Sequence, residues 1–154
     1  MRNHEATGIE LTQEERARYK RHLTLPEIGI NGQKKLKGSS VLCIGSGGLG
    51  SPILLYLAAA GVGRIGVADF DFVDESNLQR QVIHSINWLG KPKTASARAH
   101  ILEINPYCQV DTFEAKINED NALQIIKSFD LICDCTDNFP SRYLINDACV
   151  ILGK

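Results

Sequence analysis

Apolar residues along this chain fall into short unbroken runs and longer amphipathic stretches that take turns. The runs at 40–45, 64–69 and 131–134 carry Val, Ile, Leu and Cys between glycine or polar residues and read as strands, the first and last of them buried, and 109–113 reads as a further strand. Between them, 49–61 is an Ala- and Leu-rich helix closed by glycine, 93–104 is a helix stopped by Asn105-Pro106, and 122–129 and 142–152 are helical again. Strand and helix in alternation predict an α/β fold: a parallel sheet with helices on both faces. Upstream, Thr12-Gln13-Glu14-Glu15 has capping-box spacing, and the helix it opens runs to about Leu23, ending near Pro26. Its basic positions Arg16, Arg18, Lys20 and Arg21 read as a solvated face, and 30–37 as a short helix or loop. The chain thus divides into an N-terminal helical segment, 1–38, and a sheet domain, 39–154. The longest irregular stretch, 71–90, has the length of a functional or mobile loop.

Composition removes several function classes. With 17 Lys plus Arg against 18 Asp plus Glu, the formal net charge of −1 gives no footprint for DNA or an anionic membrane, so any anion site is local. The first ten residues lack an apolar leader and no later run could span a bilayer, which predicts a cytoplasmic protein. Five cysteines without a C-x-x-C pair argue against a disulfide framework or a zinc site; Cys43 and Cys133 read as core thiols, and Cys135 is open. The four histidines are scattered without ligand spacing and receive no catalytic role.

Chemistry concentrates at the ends of the strands. Gly45-Ser46-Gly47-Gly48-Leu49-Gly50 satisfies G-x-G-x-x-G and sits between a strand and a helix, as in a Rossmann-like nucleotide domain. Gly45 permits the tight turn, Gly47 and Gly48 let backbone approach phosphate, and Gly50 lets helix and strand pack closely. Asp69 ends the second strand 19 residues after Gly50, where a carboxylate takes ribose hydroxyls. These features fit a nicotinamide cofactor as well as ATP. Arg80 and Lys93 bring more positive charge to the phosphate edge than a diphosphate on a helix N-terminus requires, and favour a triphosphate. Asp137 follows the fourth strand on the same edge; beside a triphosphate it calls for an intervening Mg²⁺, the alternative being a helix cap, a part Asp134 or Asn138 could also play.

At these residues the chain resembles the MoeB, ThiF and HesA family of adenylating enzymes related to ubiquitin-activating proteins. The likeness is carried by Arg18-Tyr19-Lys20-Arg21-His22, the glycine turn, Ala58-Ala59-Ala60-Gly61-Val62-Gly63, Asp69-Phe70-Asp71, the stretch from Ser76 to Gln81, Gly90-Lys91-Pro92-Lys93, and Asp134-Cys135-Thr136-Asp137-Asn138. Pro26-Glu27-Ile28-Gly29 and Asn138-Phe139 most resemble the molybdopterin-synthase sulfurylase type, whose relatives often carry a rhodanese domain. The resemblance implies Mg-ATP-dependent adenylation of the C-terminal glycine carboxylate of a ubiquitin-like sulfur carrier ending in Gly-Gly, in a molybdopterin, thiamine or tRNA-thiolation pathway. It also implies that Asn77, Arg80 and Lys93 contact phosphates, that Asp137 holds magnesium, and that Arg21 reaches the triphosphate of the other subunit of a homodimer.

The resemblance covers nearly the whole chain and stops at its end. After Cys149-Val150-Ile151-Leu152-Gly153-Lys154 such enzymes continue through further strands, two C-x-x-C zinc pairs, a crossover loop and the carrier groove, none of them in this sequence. The expectation is an N-terminal nucleotide-binding half that does not turn over alone and tends to self-associate. A nucleotide-binding fragment without turnover and a nicotinamide-binding domain are the competing readings. A relative acting on modified transfer RNA gains no support from the balanced charge.

Overall fold

The computed structural model describes residues 8–154; the polar leader residues 1–7, His4 among them, lie outside the described residues. Four parallel strands, β1 (Ser40–Ile44), β2 (Arg64–Ala68), β3 (Gln109–Phe113) and β4 (Leu131–Asp134), form one sheet in the order β3-β2-β1-β4. Alternate residues of each strand serve opposite faces. Val41, Cys43, Ile65 and Val67 pack against Leu54 and Ala58 of α4 (Gly50–Ala60) and Ala97 and Ile101 of α5 (Lys93–Ile104). Leu42, Ile44 and Ala68 pack against Ala122 and Ile126 of α6 (Ala122–Ile126) and Ile145 and Ala148 of α7 (Phe139–Leu152). Both faces are therefore covered at the central strands β1 and β2, which is why these read as continuous apolar runs rather than alternating ones.

Gly66 shows how tight the second face is. A Cβ there would lie 2.4 Å from Phe129 Cζ and 2.8 Å from Leu42 Cδ1. The Phe129 ring fills that space, with the Arg64 guanidinium 4.5 Å from its centroid and paired to Asp111 at 2.6 Å.

The first two crossovers step outward from β1 to β2 to β3, and the third returns to the far side of β1. The winding reverses between β1 and β4, so a crevice opens at the carboxyl ends of these strands, the place where open parallel sheets take ligands.

Three short helices, α1 (Gln13–Arg18), α2 (Lys20–Leu23) and α3 (Gly29–Gly38), precede the sheet. The Thr12–Glu15 capping box forms in both directions. The single helix expected to reach Leu23 is broken at Tyr19, whose buried side chain turns inward beneath Gly61 and accepts a 2.7 Å hydrogen bond from Asn105 Nδ2. Gln33, fully buried, donates to the Ala60 carbonyl at 2.9 Å and meets His22 Nδ1 at 2.9 Å. These contacts fasten the N-terminal helices to the C-terminal end of α4, away from the crevice. Two further boundaries move: α6 ends at Ile126, three residues early, and α7 begins at Phe139, three residues before the expected 142, because Asn138 caps it.

Gly66→Ala forces Phe129 or Leu42 out of place, so it should cost about 1–3 kcal/mol. Urea unfolding checks this: the midpoint falls while the slope m stays that of the parent chain.

Candidate functional site

The crevice is a cleft of about 700 Å³, lined by the glycine turn, the residues following β2, the 77–81 segment, the start of α5, the residues after β3 and the loop after β4. That volume suits a nucleotide-sized ligand.

Its floor is the glycine turn. Gly45 has φ +96°, a left-handed conformation, and a Cβ there would sit 2.8 Å from the Cys135 carbonyl oxygen. At Gly50 a Cβ would lie 1.9 Å from the Gly45 carbonyl oxygen and 3.4 Å from Cys43 Sγ, so this buried residue serves packing and does not line the cleft, unlike Gly47 and Gly48. No side chain caps the N-terminus of α4, and Gly47, Gly48 and Leu49 just before it line the cleft, so the positive end of the helix dipole meets the cleft there.

Asp69 stands just past β2, half-buried and already engaged. The amide and hydroxyl of Ser46 each donate to Asp69 Oδ2 at 2.8 Å, and the Asp71 amide donates to Oδ1 at 2.9 Å. Three of the carboxylate's acceptor sites are used and the remainder face the cleft it lines.

The basic residues converge as expected. Arg80 lies beside Gly48 and donates to Asn77 Oδ1 at 2.7 Å. Lys93 is only 5% exposed and pairs with Asp71 at 2.9 Å. It is the first residue of α5, where the helix dipole disfavours a cation, so Asp71 supplies the compensation. The irregular stretch 71–90 is closed at its base: Val73 donates to the Lys91 carbonyl, Gly90 to that of Val73 and Lys93 to that of Asp71, each at 2.9 Å. Short 3-10 turns at Glu75–Asn77 and Ile86–Trp88 give it internal structure.

Asp137 lines the opposite wall and is exposed. The capping role belongs to its neighbour, since Asn138 accepts the Ser141 amide at 3.0 Å. Asp134 instead holds the loop, accepting from the Thr136 amide at 2.9 Å and hydroxyl at 2.7 Å, while Arg142 donates to the Thr136 carbonyl at 2.8 Å. Among the described residues Asp137 is left with one long contact, 3.4 Å from Asn138 Nδ2. Cys135 is buried, its sulfur 3.5 Å from that of Cys43, and this hydrogen bond together with burial pushes the Cys43 thiol up. Both belong to the packing beneath the turn.

Arg21 is not in the cleft. It is exposed on α2, which is fastened to the far end of α4, and that helix of 11 residues is about 16 Å long. Residue patterns also pass over His84. Buried between the turn and α5, it lies 3.0 Å from the Ser46 carbonyl through Nε2 and 3.0 Å from Ser96 Oγ through Nδ1. No local spacing marks it, because its partners stand 38 and 12 residues away. Gln81, beside Gly47, and Asp71 are missed likewise; the spacing Asp69-x-Asp71 is the one signal for the latter.

The ThiF family matches residues 19–154. The chain belongs to that family. Among its relatives, the probable adenylyltransferase/sulfurtransferase MoeZ of Mycobacterium tuberculosis is 58% identical over 144 residues, which are 94% of this chain and 37% of MoeZ. The sulfur carrier protein adenylyltransferase of Thermus thermophilus is 48% identical over 143 residues, 93% of this chain and 53% of that protein. This ThiF-family chain therefore spans between about a third and a half of such relatives. Escherichia coli TcdA, a tRNA N6-threonylcarbamoyladenosine dehydratase solved with ATP, superposes with a TM-score of 0.87 over 93% of this chain and 58% of its own, and at 24% identity it shares the fold. Among the described residues, no helix is long and apolar enough to cross a membrane and no three His, Cys, Asp or Glu cluster as metal ligands.

Burial lowers the pKa of His84 from its ordinary 6.5; Lys93 and His100 push the same way, against the Ser46 carbonyl bond and the charge of Asp69. The unfolded chain thus takes up a proton that the folded one refuses. Stability is present above the unfolded value of 6.5 and lost as pH falls from there through the folded value. Urea midpoints measured between about pH 5 and 8 should fall on the acid side, and His84→Gln should flatten that part of the curve.

Proposed function

We propose that this chain is the nucleotide-binding part of an adenylyltransferase that uses Mg-ATP to activate the C-terminal glycine carboxylate of a ubiquitin-like sulfur carrier ending in Gly-Gly, with release of pyrophosphate. The observation that carries this reading is the meeting of Asn77, Arg80 and Lys93 with the uncapped end of α4 around one cleft. The names borne by the MoeZ and Thermus relatives support the reaction class.

In this reaction the carrier's own carboxylate attacks the α-phosphorus, so the protein needs no nucleophile; positioning and charge neutralisation are its contribution. Asp69 holds the ribose hydroxyls. Gly45, Gly47 and Gly48 let the backbone approach the phosphates, and Asn77, Arg80 and Lys93 take their oxygens. Asp71 pairs with the buried Lys93 side chain at 2.9 Å and fixes its aim. Asp137 fits magnesium, because its oxygens are free of the capping duty that Asn138 performs, and one carboxylate plus phosphate oxygens is a usual Mg²⁺ donor set. When bound, the ion neutralises charge on the departing pyrophosphate. Arg21 serves the cleft of a second copy in a homodimer, since it stands a helix length from its own. Residues 39–154 form the ATP-binding domain and 1–38 the helical segment that presents Arg21.

Isothermal calorimetry should show Mg-ATP binding and no NAD binding; tighter NAD binding overturns the reading. Arg80→Ala should weaken ATP by about one to two powers of ten and leave adenosine nearly untouched, as expected for lost hydrogen bonds to a charged group. Pyrophosphate exchange with a Gly-Gly carrier, in the chain joined to the remainder of a relative, should fall far more than ATP affinity in Asp137→Asn.

A further inference from the structure

His84 is 7% exposed and spends both ring nitrogens on holding one residue of the glycine turn to α5. A carbonyl oxygen can only accept, so Nε2 carries the hydrogen and donates to the Ser46 carbonyl at 3.0 Å. In the neutral ring Nδ1 is then the acceptor, and the Ser96 hydroxyl donates to it at 3.0 Å. Ser51 Oγ also donates to the Ser46 carbonyl, at 3.2 Å. On its other side Ser46, fully buried, gives its amide and hydroxyl to Asp69 Oδ2, both at 2.8 Å. The rotation of the Ser46 residue is thus fixed from α5 through His84, and the Asp69 carboxylate is in turn fixed by Ser46.

We infer that His84 is a positioning residue for nucleotide ribose, acting through Ser46 on the orientation of Asp69. The inference rests on the proposed nucleotide reading and adds a residue to it. Filling a gap beneath the turn would need only an apolar side chain. A buried imidazole with both nitrogens committed brings an oriented hydrogen bond, and that bond ends two links from the carboxylate that faces the cleft.

The test compares ATP with 2′,3′-dideoxy-ATP, which lacks the hydroxyls Asp69 takes, by calorimetry on the full chain. The parent chain should prefer ATP. His84→Ala should weaken ATP about tenfold, the loss of roughly one charge-assisted hydrogen bond, and change the dideoxy analogue less than about twofold. His84→Gln, whose amide keeps a donor for Ser46, should recover part of the preference. Should the alanine variant not fold, Ser96→Ala leaves the ring in place without its anchor, and the preference should shrink there too. Equal losses for both nucleotides, or an unchanged preference in the folded variants, overturn the positioning role while the nucleotide reading stands. A parent chain that binds both equally removes the ribose role of Asp69 and this inference with it, leaving the phosphate contacts. A parent chain that binds neither removes the nucleotide reading itself.

Discussion

A Cβ on residue 50 would sit 1.9 Å from the carbonyl oxygen of residue 45, a distance no side chain can tolerate. Because Gly50 has none, α4 begins directly on the end of β1, and the rest of the site depends on that closeness. It brings the positive end of the α4 dipole to the crevice where the sheet reverses its winding. It also folds Ser46 inward, so that the turn's own polar groups reach Asp69 and His84 and not water. A longer connection would leave a strand end and a helix end with solvent between them, and neither Asp69 nor Lys93 would have a shared ligand to address.

Three of the charged groups that face the cleft are each held by a partner within the chain. Asp69 is gripped by Ser46, Arg80 by Asn77, and Lys93 by Asp71. These pairs matter less for stability than for geometry. Exposed hydrogen bonds such as that of Arg80 contribute about 1 kcal/mol or less, while a buried cation such as Lys93 would be strongly unfavourable without its carboxylate. Their shared effect is to settle rotamers before a ligand arrives, which spares a ligand the cost of ordering long side chains. Asp137, by contrast, is held among the described residues by no more than the long 3.4 Å approach of Asn138. A carboxylate held so loosely suits the magnesium role proposed for Asp137.

What the sequence makes legible follows from the range of the forces involved. Strands β3 and β4 and helix α5 are read residue for residue, because alternation, glycine and proline act over a few positions. The glycine turn and Asp69 are legible for the same reason: a strand, a tight turn and a helix fix their spacing. The break at Tyr19 is not legible, since it depends on Asn105, 86 residues away. The choice between Asp137 and Asn138 as cap of α7 is not legible either, since both residue types cap helices about equally well. His84 is invisible to pattern because its function is a contact across the fold.

The same range of forces explains where Arg21 stands. The N-terminal helices are tied to the chain at Gly61, Ala60 and Asn105, all at the end of α4 and α5 remote from the crevice. Those ties are buried and specific: Gln33 is fully enclosed, and Tyr19 occupies the space that a side chain at Gly61 would claim. Swinging α2 through the length of α4 to bring Arg21 to its own cleft would break all of them and expose the Tyr19 ring. The basic surface of α2 is therefore held away from this chain's own cleft by the packing that stabilises the fold. This geometry is the reason for the proposal that Arg21 serves a second copy.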